Sequence, residues 1–126
     1  FRKRSMRAWK RRWKFLENRK KLFGLIGLAA RARKVVSGEF STEKSVKSGK
    51  SHLVIVSEEA SDNTKKMFIN MCAYYKVPIV LFGTKDELGH AMGKEFRASL
   101  SVEDAGFAKS MAALMNINGG SVNESK

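Results

Sequence analysis

A chain of 126 residues with 43% hydrophobic side chains holds enough apolar material for one packed core and not for two. Its formal net charge of +13 points to a polyanionic partner, while the single cysteine, Cys72, excludes an intramolecular disulfide and any Cys-rich zinc site. No run approaches the roughly 18 apolar residues of a membrane span, and no apolar signal core follows the N-terminal cations, so a cytoplasmic location is expected.

Residues 1–21 carry eleven Lys or Arg and one acid, Glu17, whereas the remaining residues are only mildly basic. A helix there would align Met6, Trp9, Trp13 and Leu16 on one face. Three readings stand open for this segment: a basic arm for nucleic acid, a membrane-surface helix anchored by Trp9 and Trp13, or a flexible extension. The spacing divides the chain into a basic extension over 1–21, helical or flexible, a folded domain over 22–115, and a polar, disordered tail over 116–126.

From Leu22 the apolar pattern alternates between the helix and strand periods. Leu22 to Arg33 is expected to be helical, with Gly24 and Gly27 permitting a close neighbour; Val35 and Val36 form a short strand ending at Ser37 and Gly38. A second helix is expected from Ser41, as its N-cap, to Ser48, with Gly49 at its stop. The run LVIV within His52 to Ser57 suits a strand covered on both faces. A third helix spans Ser61 to Lys76 and must stop before Pro78, because proline disfavours helical geometry in the residue preceding it. Ile79 to Phe82 is a strand, and Thr84 with Glu87 makes a capping-box signature for a helix ending near Gly93. Ala98, Leu100 and Val102 alternate as an edge-like strand, and Asp104 to Met115 forms a last helix with Phe107, Met111 and Leu114 inward. Such alternation predicts an α/β fold, a three-layer α/β/α sandwich around a four-stranded mixed sheet.

Parts for catalysis are missing. His52 and His90 have no partners at metal-ligand spacing, there is no GxSxG, and the glycines make neither GxGxxG nor a phosphate-binding loop. Glu58 and Glu59 are adjacent at a strand end and point apart as solvated turn acids. No catalytic residue, metal, cofactor or small-molecule substrate is therefore expected. The segment Gly38 to Gly49 stands out instead. A helix N-terminus exposes unpaired N–H groups and a partial positive charge, so its start can hold a phosphate, and Lys44 one turn in can reach a phosphate or a guanine edge. The plainer alternative makes Gly38 a turn glycine and Lys44 a solvated lysine.

The runs LGLAARARKVVSGE, KSVKSGKSHLVIVSEEAS and TKDELGHAMGKEFRAS resemble, in order and spacing, the kink-turn-binding ribosomal proteins of the L7Ae/L30e type, most closely their small bacterial members. The resemblance covers about Leu22 to Leu114 and implies the same three-layer sandwich. In that family a glycine precedes an Asn and a Glu at the start of the second helix, a Lys follows one turn later, and these residues read sheared G·A pairs in a kinked RNA stem. The glycine matches Gly38 and the lysine Lys44, with Glu39 between the glycine and the reading positions. Phe40 and Ser41 stand where the family has Asn and Glu, which removes two polar base contacts. The family's second surface, the loop before the last strand, corresponds to Lys94, Glu95, Phe96, Arg97 and Ala98. Phe96 there either stacks on a base or is buried at the strand entrance, and Arg97 can pair a phosphate. Arg33 and Lys34 are further candidate phosphate contacts near the same rim, and Glu58 is an orienting acid.

The resemblance implies a non-catalytic protein that binds a bent or internally looped structured RNA, ribosomal RNA above all, with ribosomal proteins as further partners and a monomeric state. The rival from another class is a protein-interaction module on the same fold that has lost RNA specificity.

Overall fold

The computed structural model describes the backbone of residues 2–117 and the side chains of residues 16–115. Along it run α1 (Arg2–Arg31), β1 (Val35–Ser37), α2 (Glu39–Lys47), β2 (Leu53–Val56), α3 (Asp62–Tyr75), β3 (Ile79–Leu81), α4 (Lys85–Ala91), β4 (Ser99–Val102) and α5 (Ala105–Ile117). The strands form one sheet in the order β1-β4-β2-β3, with β4 antiparallel to both neighbours and β2 parallel to β3. Because side chains alternate across a strand, Leu53, Ile55, Leu100 and Val102 pack on Leu22 and Ile26 of α1, Leu88 of α4 and Met111 of α5. Val54, Val56 and Ile79 face the other way, onto Val46 of α2 and Phe68 and Cys72 of α3. This is the expected α/β/α sandwich with a mixed sheet.

Local chemistry sets most of the boundaries. Thr84 Oγ1 accepts from the Glu87 amide at 3.0 Å while the Glu87 carboxylate accepts from the Thr84 amide at 3.0 Å, a complete capping box at the start of α4. Ser61 caps α3 by accepting from the Thr64 amide. That helix ends at Tyr75, with Lys76 in the left-handed region (φ 58°) two residues before Pro78. All four residues of LVIV are buried.

Packing adds detail to these elements and corrects one expectation. α1 runs through Lys20 and Lys21 as one helical backbone. An added Cβ at Gly24 would meet nothing within 4 Å, and at Gly27 only the Ala91 carbonyl at an ordinary 3.5 Å, so neither glycine is required by a close neighbour. α3 buries Phe68 and Cys72 and leaves Tyr74 78% exposed. Finally, β4 is not an edge. It lies between β1 and β2, and Ser99 and Ser101, the polar half of its alternation, are fully buried under α2. Their hydroxyls are satisfied there: Ser99 Oγ donates to Thr42 Oγ1 (3.3 Å), Ser101 Oγ donates to Ser51 Oγ (2.7 Å) and lies 2.8 Å from Ser45 Oγ, and Ser45 in turn donates to the Glu103 carboxylate (2.6 Å). The side chains of Met6, Trp9 and Trp13, and the tail beyond Ile117, lie outside the described residues.

Phe68 and Phe40 provide a contrast between core and surface, since the first is 0% and the second 76% exposed on neighbouring helices. Phe68→Ala is expected to lower unfolding stability by about 3–5 kcal/mol, and Phe40→Ala by no more than about 0.5 kcal/mol, as read from urea denaturation.

Candidate nucleic-acid interface

The site is built at one end of the sheet, where β1 gives way to α2. β1 pairs with β4 from Val35 opposite Val102 to Ser37 opposite Leu100, and the Gly38 amide extends the pairing by donating to the Ser99 carbonyl at 2.9 Å. Gly38 then turns the chain at φ 94°, ψ 155°, a conformation that side-chain-bearing residues rarely adopt. Its carbonyl accepts the first helical bond, from Thr42 N at 2.9 Å. Gly38 is therefore the N-cap, and Ser41 lies inside the first turn rather than capping it, because the cap here comes from backbone geometry and not from a hydroxyl. Glu39 sits in that first turn, where a helix start favours an acid.

The loop from α4 to β4 returns across the same end. Its Lys94 amide donates to the Gly89 carbonyl (2.7 Å) and its Arg97 amide to the Lys85 carbonyl (3.2 Å), which fastens the loop to α4. Arg97 Nε donates to Ser37 Oγ (2.8 Å) and Nη1 to the Phe96 carbonyl (2.6 Å), which fastens it to β1. Arg97, expected as a phosphate contact, thus uses two of its five donors to join the two stretches. Gly89 makes this packing possible: a Cβ there would sit 2.5 Å from the Glu95 carbonyl oxygen and 2.8 Å from Phe96 N. Sequence reasoning missed that role, although a glycine inside a short helix costs about 1 kcal/mol of propensity and for that reason signals packing.

The two stretches together present two aromatic rings to solvent, Phe40 at 76% and Phe96 at 59% exposure, so Phe96 is not buried at the strand entrance. Lys44, Lys94, Glu39 and Glu95 are exposed around them, while Gly38, Ser41, Arg97 and Ala98 are half-buried beneath. Phe40 and Lys44 line an open groove along α2 with Lys47 and Ser48. Glu43 in that groove accepts from Lys47 at 2.8 Å, and this hydrogen bond and charge raise the Lys47 pKa. Arg33 and Lys34 do not share the rim. The Lys34 carbonyl accepts from Glu103 N (2.7 Å) at the opposite end of β1, about 13 Å from Gly38 at roughly 3.3 Å per residue; the strand's own length separates its two flanks.

Other titratable candidates have structural partners or open surroundings. Glu59 accepts from the Lys85 amide at 3.0 Å and so steadies the start of α4, Glu58 is exposed, and His52 and His90 are exposed. Burial pushes the Cys72 thiol up to about 12, which keeps it protonated and unreactive. No cluster of three or more metal-ligating side chains occurs among the described residues. Arg19 of α1 donates to Glu87 at 2.5 Å, and its guanidinium carbon lies 4.9 Å from the Phe82 ring centre and 5.4 Å from that of Phe23. Burial alone would raise the Glu87 pKa, but the Thr84 amide and Arg19 outweigh it and hold the carboxyl below its ordinary value.

The chain matches the family described as the ribosomal protein L7Ae/L30e/S12e/Gadd45 family over residues 20–112 and belongs to it. It is 44% identical over 94 residues to the RNA-binding protein YlxQ of Bacillus subtilis, a match covering 75% of this chain and 94% of that protein. Among solved structures it is similar to a protein of unknown function from Bacillus halodurans C, with a TM-score of 0.74 and 42% identity over 76% of this chain and 97% of that one. The Giardia lamblia 15.5kD RNA binding protein shares the fold at a TM-score of 0.66 and 24% identity, covering 82% of this chain and 86% of its own. The family resemblance carried by the sequence runs is thereby established.

Two outcomes test how the site is held. Gly89→Ala is expected to displace the 94–97 loop, seen as faster hydrogen exchange at the Arg97 amide than in the parent protein; unchanged protection contradicts the packing role. Glu87, with its pKa depressed on folding, contributes stability that is present above the ordinary glutamate range and is lost as pH falls through the folded value. Glu87→Gln should therefore flatten the stability profile from about pH 5 downward, as followed by thermal unfolding at a series of pH values.

Proposed function

We propose that this protein is a non-catalytic RNA-binding protein of the kink-turn-binding type, recognising a bent or internally looped RNA that is ribosomal or ribosome-associated. The observation that carries the reading is the bond from Gly38 N to Ser99 O, with Arg97 bonded to Ser37 beside it: it joins the start of α2 to the 94–98 loop, and each stretch carries one exposed phenylalanine. The RNA-binding relatives named above lend it support.

A looped RNA differs from a plain duplex in offering unstacked bases. Phe40 and Phe96 provide faces for stacking, a contact that tolerates any base and contributes about 1–3 kcal/mol each. The start of α2 and Lys44 provide the positive end for a phosphate or a purine edge. With Phe40 and Ser41 in place of the family's Asn and Glu, recognition shifts from reading base edges toward stacking and shape. Arg33 and Lys34, at the far end of β1, have no part in it.

The test compares an internally looped RNA with a plain duplex of equal length. Lys44→Ala and Phe96→Ala should each weaken binding to the looped RNA by about 1–3 kcal/mol and binding to the duplex far less. Equal losses on both would remove the specific role. A parent protein without preference for the loop would favour the protein-interaction alternative.

A further inference from the structure

At the end of the sheet opposite Gly38, three helices close in the same way. Arg33 N donates to the Ala30 carbonyl and Lys34 N to that of Ala29; Gly49 N donates to Val46 and Lys50 N to Ser45; Lys76 N donates to Ala73 and Val77 N to Cys72. In this paired closure the chain leaves the helix through one left-handed residue, a position that glycine usually takes. Gly49 takes it after α2 (φ 80°), but Arg33 takes it after α1 (φ 62°) and Lys76 after α3 (φ 58°). Among the described residues, these two cations are the ones other than glycine that have positive φ.

The three closures lie together. They lead into β1, β2 and β3, and because β4 is antiparallel to β1 and β2 while β2 is parallel to β3, all three strands start at the same end of the sheet. At about 4.8 Å between neighbouring strands, that row spans about 14 Å from β1 to β3. Arg31, Arg33, Lys34, Lys50 and Lys76 are all exposed there, and no carboxylate among the described residues forms an ion pair with any of them. The two acids that follow β4 are engaged elsewhere: Glu103 accepts from Ser45 Oγ and Asp104 from the Phe107 amide. None of the exposed large apolar side chains lies in these connections, whereas a protein partner would meet an apolar centre depleted of lysine. The partial negative charge of a helix carboxyl end also draws cations, but Arg31 and Lys47 in the last turns of α1 and α2 answer that attraction without a side chain at a left-handed position.

We propose that this end of the sheet is a second RNA surface, separate from residues 38–44 and 94–98, at which Arg33, Lys34, Lys50 and Lys76 take the backbone phosphates of a double-stranded segment. Contacts of this kind position a helix without reading its sequence. The inference goes beyond the loop reading and does not depend on it. Where both hold, the protein bridges a looped element at one end of its strands and a neighbouring helix at the other.

The experiment uses the full chain and a labelled RNA duplex of about 20 base pairs, followed by fluorescence anisotropy with and without a saturating, unlabelled short RNA that contains an internal loop. Arg33→Gly combined with Lys76→Gly removes two cations and suits the left-handed backbone, so the melting temperature should not fall. Duplex binding should weaken about tenfold, and its log–log salt slope should shrink by about 0.9 per lost contact, while affinity for the looped RNA stays within about twofold. Lys50→Gln, at a residue outside the left-handed positions, should weaken duplex binding about threefold by itself. Lys66→Ala combined with Lys109→Ala, two exposed cations on α3 and α5, should change duplex binding by less than about twofold. Arg33→Lys combined with Lys76→Arg keeps the charge and should bind the duplex as the parent does. Equal losses in the two charge-removing double variants, or complete displacement of the duplex from the parent by the looped RNA, overturn the second surface. A parent that binds the duplex through Arg33 and Lys76 but does not prefer looped RNA leaves this surface standing and removes the loop reading, so the two failures are told apart.

Discussion

The pairing of β1 with β4 is the constraint on which the rest of the site depends. β1 is only three residues long and lies at the edge of the sheet, yet its register against β4 sets where the chain turns into α2. The turn needs a residue that tolerates positive φ and leaves its amide free to reach Ser99, and Gly38 meets both requirements. Because β4 is entered from the 94–98 loop, the same pairing brings a segment from late in the chain beside one from its first third. Arg97 and Ser37 reinforce that juxtaposition through side chains.

The polar layer between α2 and β4 keeps the helix start in place. Serine and threonine hydroxyls are smaller than the aliphatic side chains that fill the α3 half of the same face, and each finds a partner in the layer. Directional bonds of this kind fix the position of a helix more tightly than apolar contacts alone, since an unsatisfied buried hydroxyl is costly. Precise placement of α2 matters for the proposed function, in which the helix start and Lys44 meet the RNA.

Much of this was legible in the sequence, because the signals were local. LVIV, the Thr84–Glu87 spacing and Pro78 each constrain the backbone within a few residues, and the element order followed from them. The misreadings came from tertiary context. Ser41 was a good N-cap by type, but Gly38 starts the helix through backbone geometry that side-chain preference does not register. Ser99 and Ser101 alternate with apolar residues as a solvent-facing row would, and only the approach of Thr42 and Ser45 makes them interior. Arg33 and Lys34 are near Gly38 in the chain and a strand's length away in space. Phe40, Lys44 and Phe96 were readable as candidates from family spacing, whereas Gly89 and Arg19 acquire their roles only when α4 is placed against the loop and α1.

The central claim is that residues 38–44 and 94–98 form one surface that a single RNA covers at once. Titration of the isotopically labelled protein with an internally looped RNA, followed by amide chemical shifts, tests it most directly. Amides of both stretches should shift together and saturate at the same RNA concentration, with α3 and β3 little changed. Shifts confined to one stretch, or centred on the α3 face, would contradict it.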